Sequence, residues 1–204
     1  MSILSGMLTA RRFRVVAELP AQWRESFRDR LNEHAFQSAT EELGKEEKEG
    51  WTQVHNLLNT QFDDFNRWLY GDYLVFALRV DKKVLPGKLL TATLEKQCEE
   101  WCSENGAQRC PALTKTALRE ELEQQWLRRV LPRVTITEAV WNIEQQYLIL
   151  NSLSDGVMER FEKRFRRTFG YRLLPWSPLN LLADSDQVDA LISSTPAPMT
   201  GGLA

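Results

Sequence analysis

The sequence predicts an α+β domain: a mixed or antiparallel sheet with packed helices, interrupted by an inserted helical hairpin. Three observations carry this reading. Strand-like and helix-like apolar periods alternate at both ends of the chain, two long helical periods follow one another in its middle, and the composition supports one sizeable core. The chain has 204 residues, 43% hydrophobic, 10% aromatic and 26% charged, inside the range of globular domains. No apolar run approaches the roughly 20 residues needed to cross a bilayer, and residues 1–8 lack a basic start and an apolar signal core. The expectation is a soluble cytoplasmic protein.

Residues 7–19 (MLTARRFRVVAEL) read as a strand, since Phe13 and Val15 alternate with Arg12 and Arg14. Pro20 then suits a first helical turn, and Trp23, Phe27, Leu31 and Ala35 recur every four residues as one apolar stripe. The charged run 41–50 (EELGKEEKEG) has no apolar period and predicts a solvated loop, with a short strand over 51–54. Residues 56–67 fit a strand and irregular structure equally. After RWLY, Gly71-Asp72 supplies a turn, and YLVFALRVDKKVL predicts a strand covered on both faces.

Pro86 opens a helix that stops near Asn105-Gly106, and Pro111 and Thr114 open another carrying Leu118, Leu122, Gln125, Trp126 and Val130 on one side. Strands follow over 134–143 and 147–153, joined across 144–146. Ser154 or Asp155 can cap a last helix with Met158, Phe161, Phe165 and Phe169 inside and Gly170 at its end. Residues 171–176 (YRLLPW) make one more strand, and 183–204, rich in Ser, Thr, Pro, Gly and Ala, predict a flexible tail.

Net charge is −2, but it is unevenly spread. Residues 37–110 carry nine basic and thirteen acidic groups, whereas 121–175 carry nine and seven. Catalytic motifs are missing: there is no G-x-S-x-G, H-E-x-x-H or G-x-x-x-x-G-K-[ST], and there are only two histidines. The adjacent Asp63-Asp64 point apart on either a strand or a helix and make a poor catalytic pair. Cys98, Cys102 and Cys110 have a C-x3-C-x7-C spacing outside the usual zinc arrangements. Cys98 and Cys102 read as small packing groups on one helix face. No enzyme, cofactor or metal site is expected.

The helix DGVMERFEKRFRRTFG is more informative. With its phenylalanines inside, Arg160, Lys163, Arg164, Arg166 and Arg167 should fan across the exposed side, and Arg172 adds to the densest basic cluster in the chain. Arg128, Arg129 and Arg133 form a second group, and Arg11, Arg12 and Arg14 a third. Such cations can follow a phosphate backbone. The same residues also fit ordinary surface pairing, with Glu159–Lys163 and Glu162–Arg166 at i,i+4 and cations near a helix C-terminus.

Several segments resemble the bacterial recombination-associated RdgC family. They are Gly50-Trp51, VDKKVLP (80–86), LTKTALREELEQQWLRRVLPRVTIT (113–137), VWNIEQQYLIL (140–150) and RRTFGYRLLPWSPL (166–179), in that order; MLTARRF and the following helix ending in HAF resemble the family's opening. The resemblance spans residues 7–179. It implies a central α+β domain over 1–82 and 131–182, an inserted helical tip over 83–130, and a non-enzymatic, sequence-non-specific protein that encircles duplex DNA as a dimer. Two departures accompany it. The family's C-terminal base region is expected to have no counterpart, and the tip, lysine-rich in the family, reads EEWCSENGAQRCPA (99–112) with only Arg109 basic.

Two functions from different classes are therefore expected. The first is duplex-DNA binding linked to recombination, with association with the nucleoid, through Arg160, Lys163, Arg164, Arg166, Arg167, Arg172, Arg128, Arg129 and Arg133. The alternative is a protein-interaction subunit that has lost encirclement, a homodimer or the complement of a partner replacing the base region, using helix tryptophans such as Trp23, Trp101 and Trp126. Core packing is the competing role for those tryptophans.

Overall fold

The computed structural model describes residue 3, residues 8–37 and 47–176, and residues 189, 190 and 193. Most of the expected loop at 41–50 and most of the tail at 183–204 lie outside the described residues. Within them the elements are β1 (Arg11–Val16), α1 (Trp23–Glu33), β2 (Lys48–Thr52), a 3-10 turn (Phe65–Arg67), β3 (Leu69–Tyr70), β4 (Tyr73–Lys82), α2 (Gly87–Asn105), α3 (Ala112–Arg129), β5 (Arg133–Asn142), β6 (Tyr147–Leu150), α4 (Asp155–Phe169) and β7 (Arg172–Pro175). The fold is α+β, as the alternating periods imply.

One seven-stranded sheet runs in the order β2-β4-β5-β6-β1-β7, with β3 pairing beside β2 on β4, and every strand pair is antiparallel. Gly71, at φ 59°, turns β3 into β4. Strand alternation then sorts the side chains. Phe13 and Val15 of β1, Leu74, Phe76, Leu78 and Val80 of β4, Ala139 and Trp141 of β5, and Leu148 and Leu150 of β6 share one buried face. Helices α1 and α4 cover that face with Phe27, Leu31, Phe161, Phe165 and Phe169.

Aromatic packing dominates this core. Trp141 meets Phe165 and Phe169 edge-on at 5.3 and 5.4 Å, and Trp51 meets Phe161 edge-on at 5.5 Å. Trp51 also donates its indole N–H to the Thr168 hydroxyl at 2.8 Å, a buried bond that sets the rotation of α4. Burying each phenylalanine of α4 contributes about 2 kcal/mol.

The opposite face is thinner. Val54, Val75 and Ala77 form a small cluster there with Ile136 and Val140. Beside it the Arg12 guanidinium lies between the rings of Tyr147 and Trp176, 4.2 and 4.0 Å from their centroids. Strand β4 is therefore buried along nearly its whole length, as its continuous apolar run predicts.

The hairpin of α2 and α3 leaves the sheet between two hydrogen-bonded neighbours, β4 and β5, whose last paired residues are Lys82 and Arg133. It has its own cluster of Leu90, Leu94 and Leu122, joined by Cys98, Leu118 and Trp126. The buried Lys83 ammonium donates to the Leu127 carbonyl at 2.6 Å and holds the root of the hairpin to the strand end.

Some boundaries differ from the sequence reading. Strand β1 is shorter than 7–19, because among the described residues only 11–16 find strand partners in β6 and β7. The α1 stripe ends before Ala35, which instead bridges Trp51 in parallel. Residues 48–50, expected to be loop, begin β2 by pairing with Asp81, Val80 and Arg79. Residues 56–67 are irregular up to the 3-10 turn.

That bridge explains Gly50. A Cβ built there would lie 2.4 Å from the Phe36 Cα and 2.7 Å from the Ala35 carbonyl carbon, both backbone atoms with nowhere to move. Gly50→Ala should destabilise the protein by about 3 kcal/mol or more through forced separation of the 35–36 segment from β2. Chemical denaturation checks this, with Gly87→Ala, which has open space around it, as the benign control.

Candidate nucleic-acid interface

Helix α4 places most of the predicted cations. Its apolar residues recur at i, i+4 and i+8, so the residues on the far side of the helix turn outward. Lys163, Arg166 and Arg167 are exposed. None of the three pairs with a described residue, so the i,i+4 pairs Glu159–Lys163 and Glu162–Arg166 do not close there.

Arg160 belongs to a linked set. Its guanidinium contacts the Glu47 carboxylate at 2.7 Å, and the Lys82 ammonium reaches the other oxygen of Glu47 at 2.6 Å. Lys82 and Arg133 are paired neighbours on β4 and β5. A line of cations thus runs from Lys163 and Arg167, through Arg160, Lys82 and Arg133, toward the exposed Arg128 and Arg129 at the end of α3. The hydrogen bond from Lys82, helped by Arg160, lowers the pKa of Glu47 against the opposing effect of burial. Glu47 is the one acid built into this line among the described residues.

Arg164 is placed differently from the sequence expectation. Its side chain is only 12% exposed and ion-pairs with Glu49 at 3.7 Å. One terminal nitrogen donates to the carbonyls of His34 and Glu49 at 3.1 and 3.2 Å. It sits four residues before Thr168, on the flank where α4 meets the end of α1 and β2, so it clamps these elements instead of facing solvent. Burial lowers its pKa, and the nearby Arg167 adds to this while Glu49 opposes it.

Arg172 is also separated from α4. Leu173 enters the core, so alternation turns Arg172 and Leu174 to the other face of the sheet, where Arg12 and Arg14 stand on the adjacent β1. Arg11, of the opposite parity, reaches across to Asp155 at the start of α4 at 3.1 Å. The predicted cations therefore form two groups on two faces, and the larger follows α4 and the root of the hairpin.

Sequence reasoning passed over Lys82 and Glu47. Lys82 had a readable signal, since it continues the even-numbered series Leu74, Phe76, Leu78 and Val80 one step past the core. Glu47 had none, because its role depends on Lys82 and Arg160, which lie 35 and 113 residues further along the chain. Two of the helix tryptophans pack inside the molecule: Trp23 lies against Phe27 at 5.7 Å and Trp126 joins the hairpin cluster. Among the described residues no group of three His, Cys, Asp or Glu is arranged to hold a metal ion, and no helix is long and apolar enough to cross a membrane.

Fold and surface together define an α+β protein with an inserted helical hairpin and a cationic band along one helix and the hairpin root. The chain belongs to the RdgC family, whose model, described as "Putative exonuclease, RdgC", matches residues 9–188. It is similar to the recombination-associated protein RdgC of Neisseria meningitidis serogroup C and to that of Neisseria gonorrhoeae. Each is 30% identical over 94 residues, covering 46% of this chain and 31% of the relative. The match thus spans about a third of the length of these relatives.

Two predictions separate structural cations from surface ones. Arg164→Ala should lower the thermal midpoint by several degrees, because Glu49 and two carbonyls lose a partly buried donor, whereas Lys163→Ala should leave it within about a degree; differential scanning fluorimetry compares them. The pKa of His34 is lowered by burial first and then by Arg164 and Arg167, with Glu33 opposing. The folded chain therefore binds this proton less readily than the unfolded one. Stability should fall as pH drops below the ordinary histidine value of 6.5 and be restored as pH rises. His34→Gln should flatten that part of the curve.

Proposed function

We propose that this chain is a non-enzymatic, sequence-non-specific DNA-binding protein acting in recombination, with α4 and the hairpin root as its phosphate-contacting surface. The observation that carries the proposal is the line Lys163, Arg167, Arg160, Lys82 and Arg133. These cations are held on rigid elements, and a helix back that faces outward without entering a groove offers charge and no base readout. Membership of the RdgC family and the recombination-associated names of its relatives support this reading. By the same reading residues 1–82 and 131–182 form a central unit and 83–130 an inserted tip.

A second reading rests on the hairpin and its root. Leu113 and Leu131 are 87% and 82% exposed, and such apolar groups suit a docked protein, either a second copy or a partner of this chain. Light scattering in the binding buffer distinguishes an oligomer from a monomer.

The test is anisotropy of a labelled duplex of about 30 base pairs across a salt series. Neutralising about four phosphates gives a slope of log K against log salt near −3.6. Lys163→Ala with Arg167→Ala should reduce that slope by roughly 1.8 without altering sequence preference. Glu47→Gln frees Arg160 and Lys82 and should tighten binding about threefold or more at low salt. In the same buffer with Mg2+ the duplex should stay intact, and shortening of the labelled strand would instead support the family's exonuclease description. No binding at low salt, or binding indifferent to the two substitutions, overturns the proposal.

A further inference from the structure

The tip of the hairpin carries chemistry that the DNA-binding reading does not use. Helix α2 ends at Asn105, Gly106 turns the chain at φ 64°, and the Ala107 N–H returns to the Cys102 carbonyl at 3.0 Å. This reversal brings the start of α3 back along the last turns of α2. As a result Cys98 and Cys110, twelve residues apart in sequence, line the same pocket of about 430 Å³, together with Arg109, Pro111, Ala112 and Lys115. Arg109 and Lys115 are exposed at its rim, and all three cysteines are free and partly accessible.

We propose that Cys98 and Cys110 form an oxidisable dithiol, a covalent modification site for anionic low-molecular-weight disulfides of the glutathione type, which closes to an intramolecular disulfide across the hairpin tip. The more peripheral Cys110 reacts first. Its thiolate attacks one sulfur of the reagent, a protein–reagent S–S bond forms, and the other half leaves as a thiolate that takes up a proton. The Cys98 thiolate then attacks the Cys110 sulfur, and the second half leaves in the same way. The protein loses two electrons and two protons, and the reagent disulfide gains them as two thiols.

Selectivity within the three cysteines follows from position. Cys98 and Cys102 project from one helix four residues apart, so bridging them would distort α2, whereas Cys98 faces Cys110 across the hairpin. Cys98 and Cys110 share one pocket wall, which Cys102 does not line, and the Cys110 thiol donates to the neighbouring Pro111 carbonyl at 3.7 Å. Burial and the two neighbouring thiols raise the pKa of Cys110, and Lys115 opposes them. The resting pair is thus a dithiol at neutral pH, and its oxidation should keep accelerating as pH passes through the ordinary thiol range. Arg109 and Lys115 supply attraction for the carboxylates of the reagent.

The experiment treats the reduced full-length chain with oxidised glutathione, blocks remaining thiols with N-ethylmaleimide and maps tryptic peptides. Cleavage after Lys96, Arg109 and Lys115 separates residues 97–109 from 110–115. The expected product joins these two peptides, in wild type and in Cys102→Ser alike, while Cys98→Ser should retain one glutathionyl group on Cys110. Arg109→Ala with Lys115→Ala should slow the reaction about threefold or more with oxidised glutathione and leave it unchanged with the neutral hydroxyethyl disulfide. A bridge confined to 97–109, or three alkylated thiols in a chain whose helical circular dichroism is intact, overturns the proposal. Equal rates in the charge variant and wild type overturn the anionic selectivity. The wild-type and Cys102→Ser maps decide the pairing whether or not Cys98→Ser folds.

Discussion

Packing of α4 against the sheet is the constraint on which the rest of the molecule depends. Phe161, Phe165 and Phe169 form one stripe and must find a surface broad and apolar enough to take three rings. Trp51, Phe76 and Trp141 supply it, each within 6.5 Å of at least one of them. With the stripe inward, the positions on the opposite side of the helix face out, and Arg160, Lys163, Arg166 and Arg167 are among them. A hydrophobic requirement thereby organises the charged surface. The contact also ties distant parts of the chain together, because Trp51 comes from β2 and Trp141 from β5. The bond from Trp51 to Thr168 fixes which way the helix is turned.

Net charge is a poor guide to such a surface. The overall balance of −2 averages over distances well beyond the Debye length of about 8 Å at physiological salt. A phosphate near α4 meets the local field of Lys163, Arg167, Arg160, Lys82 and Arg133, moderated by Glu47. Glu47 is itself held ionised by Lys82 and Arg160, so its opposition to that field persists at neutral pH. Arg164 contributes in another way. Turned inward onto carbonyls, it stabilises the junction of α1, β2 and α4 that keeps its neighbours in place.

The hairpin follows from a different rule. It springs from adjacent antiparallel strands, which only need to be rejoined, so its length and chemistry can vary without disturbing the sheet register. Its internal cluster is small, and Lys83 holds its root. The thiols sit at the far tip, away from the cationic band, and two kinds of chemistry can therefore coexist on one chain without sharing residues.

The sequence by itself determined the elements whose periods are long and clean. The α4 stripe, the β4 run, the two helices bounded by Pro86, Gly106 and Pro111, and the left-handed glycines at 106 and 170 are all local patterns, and local patterns survive into the fold. Some of the segments that support the family resemblance, such as VDKKVLP and the run from Leu113 to Arg129, lie on or beside these elements. The tertiary structure decided what depends on partners remote in sequence: the short β1, the start of β2, the bridge of Ala35 that leaves room only for glycine at 50, and the two-faced division of the cations. Arg164 and Arg167 look alike as letters three apart. One donates to carbonyls at the ends of α1 and β2 and the other stays exposed, a difference that only the packing of those elements decides. Helical periodicity fixes the angle of a residue around its own axis, whereas the neighbour that waits at that angle is fixed by chain brought in from far away.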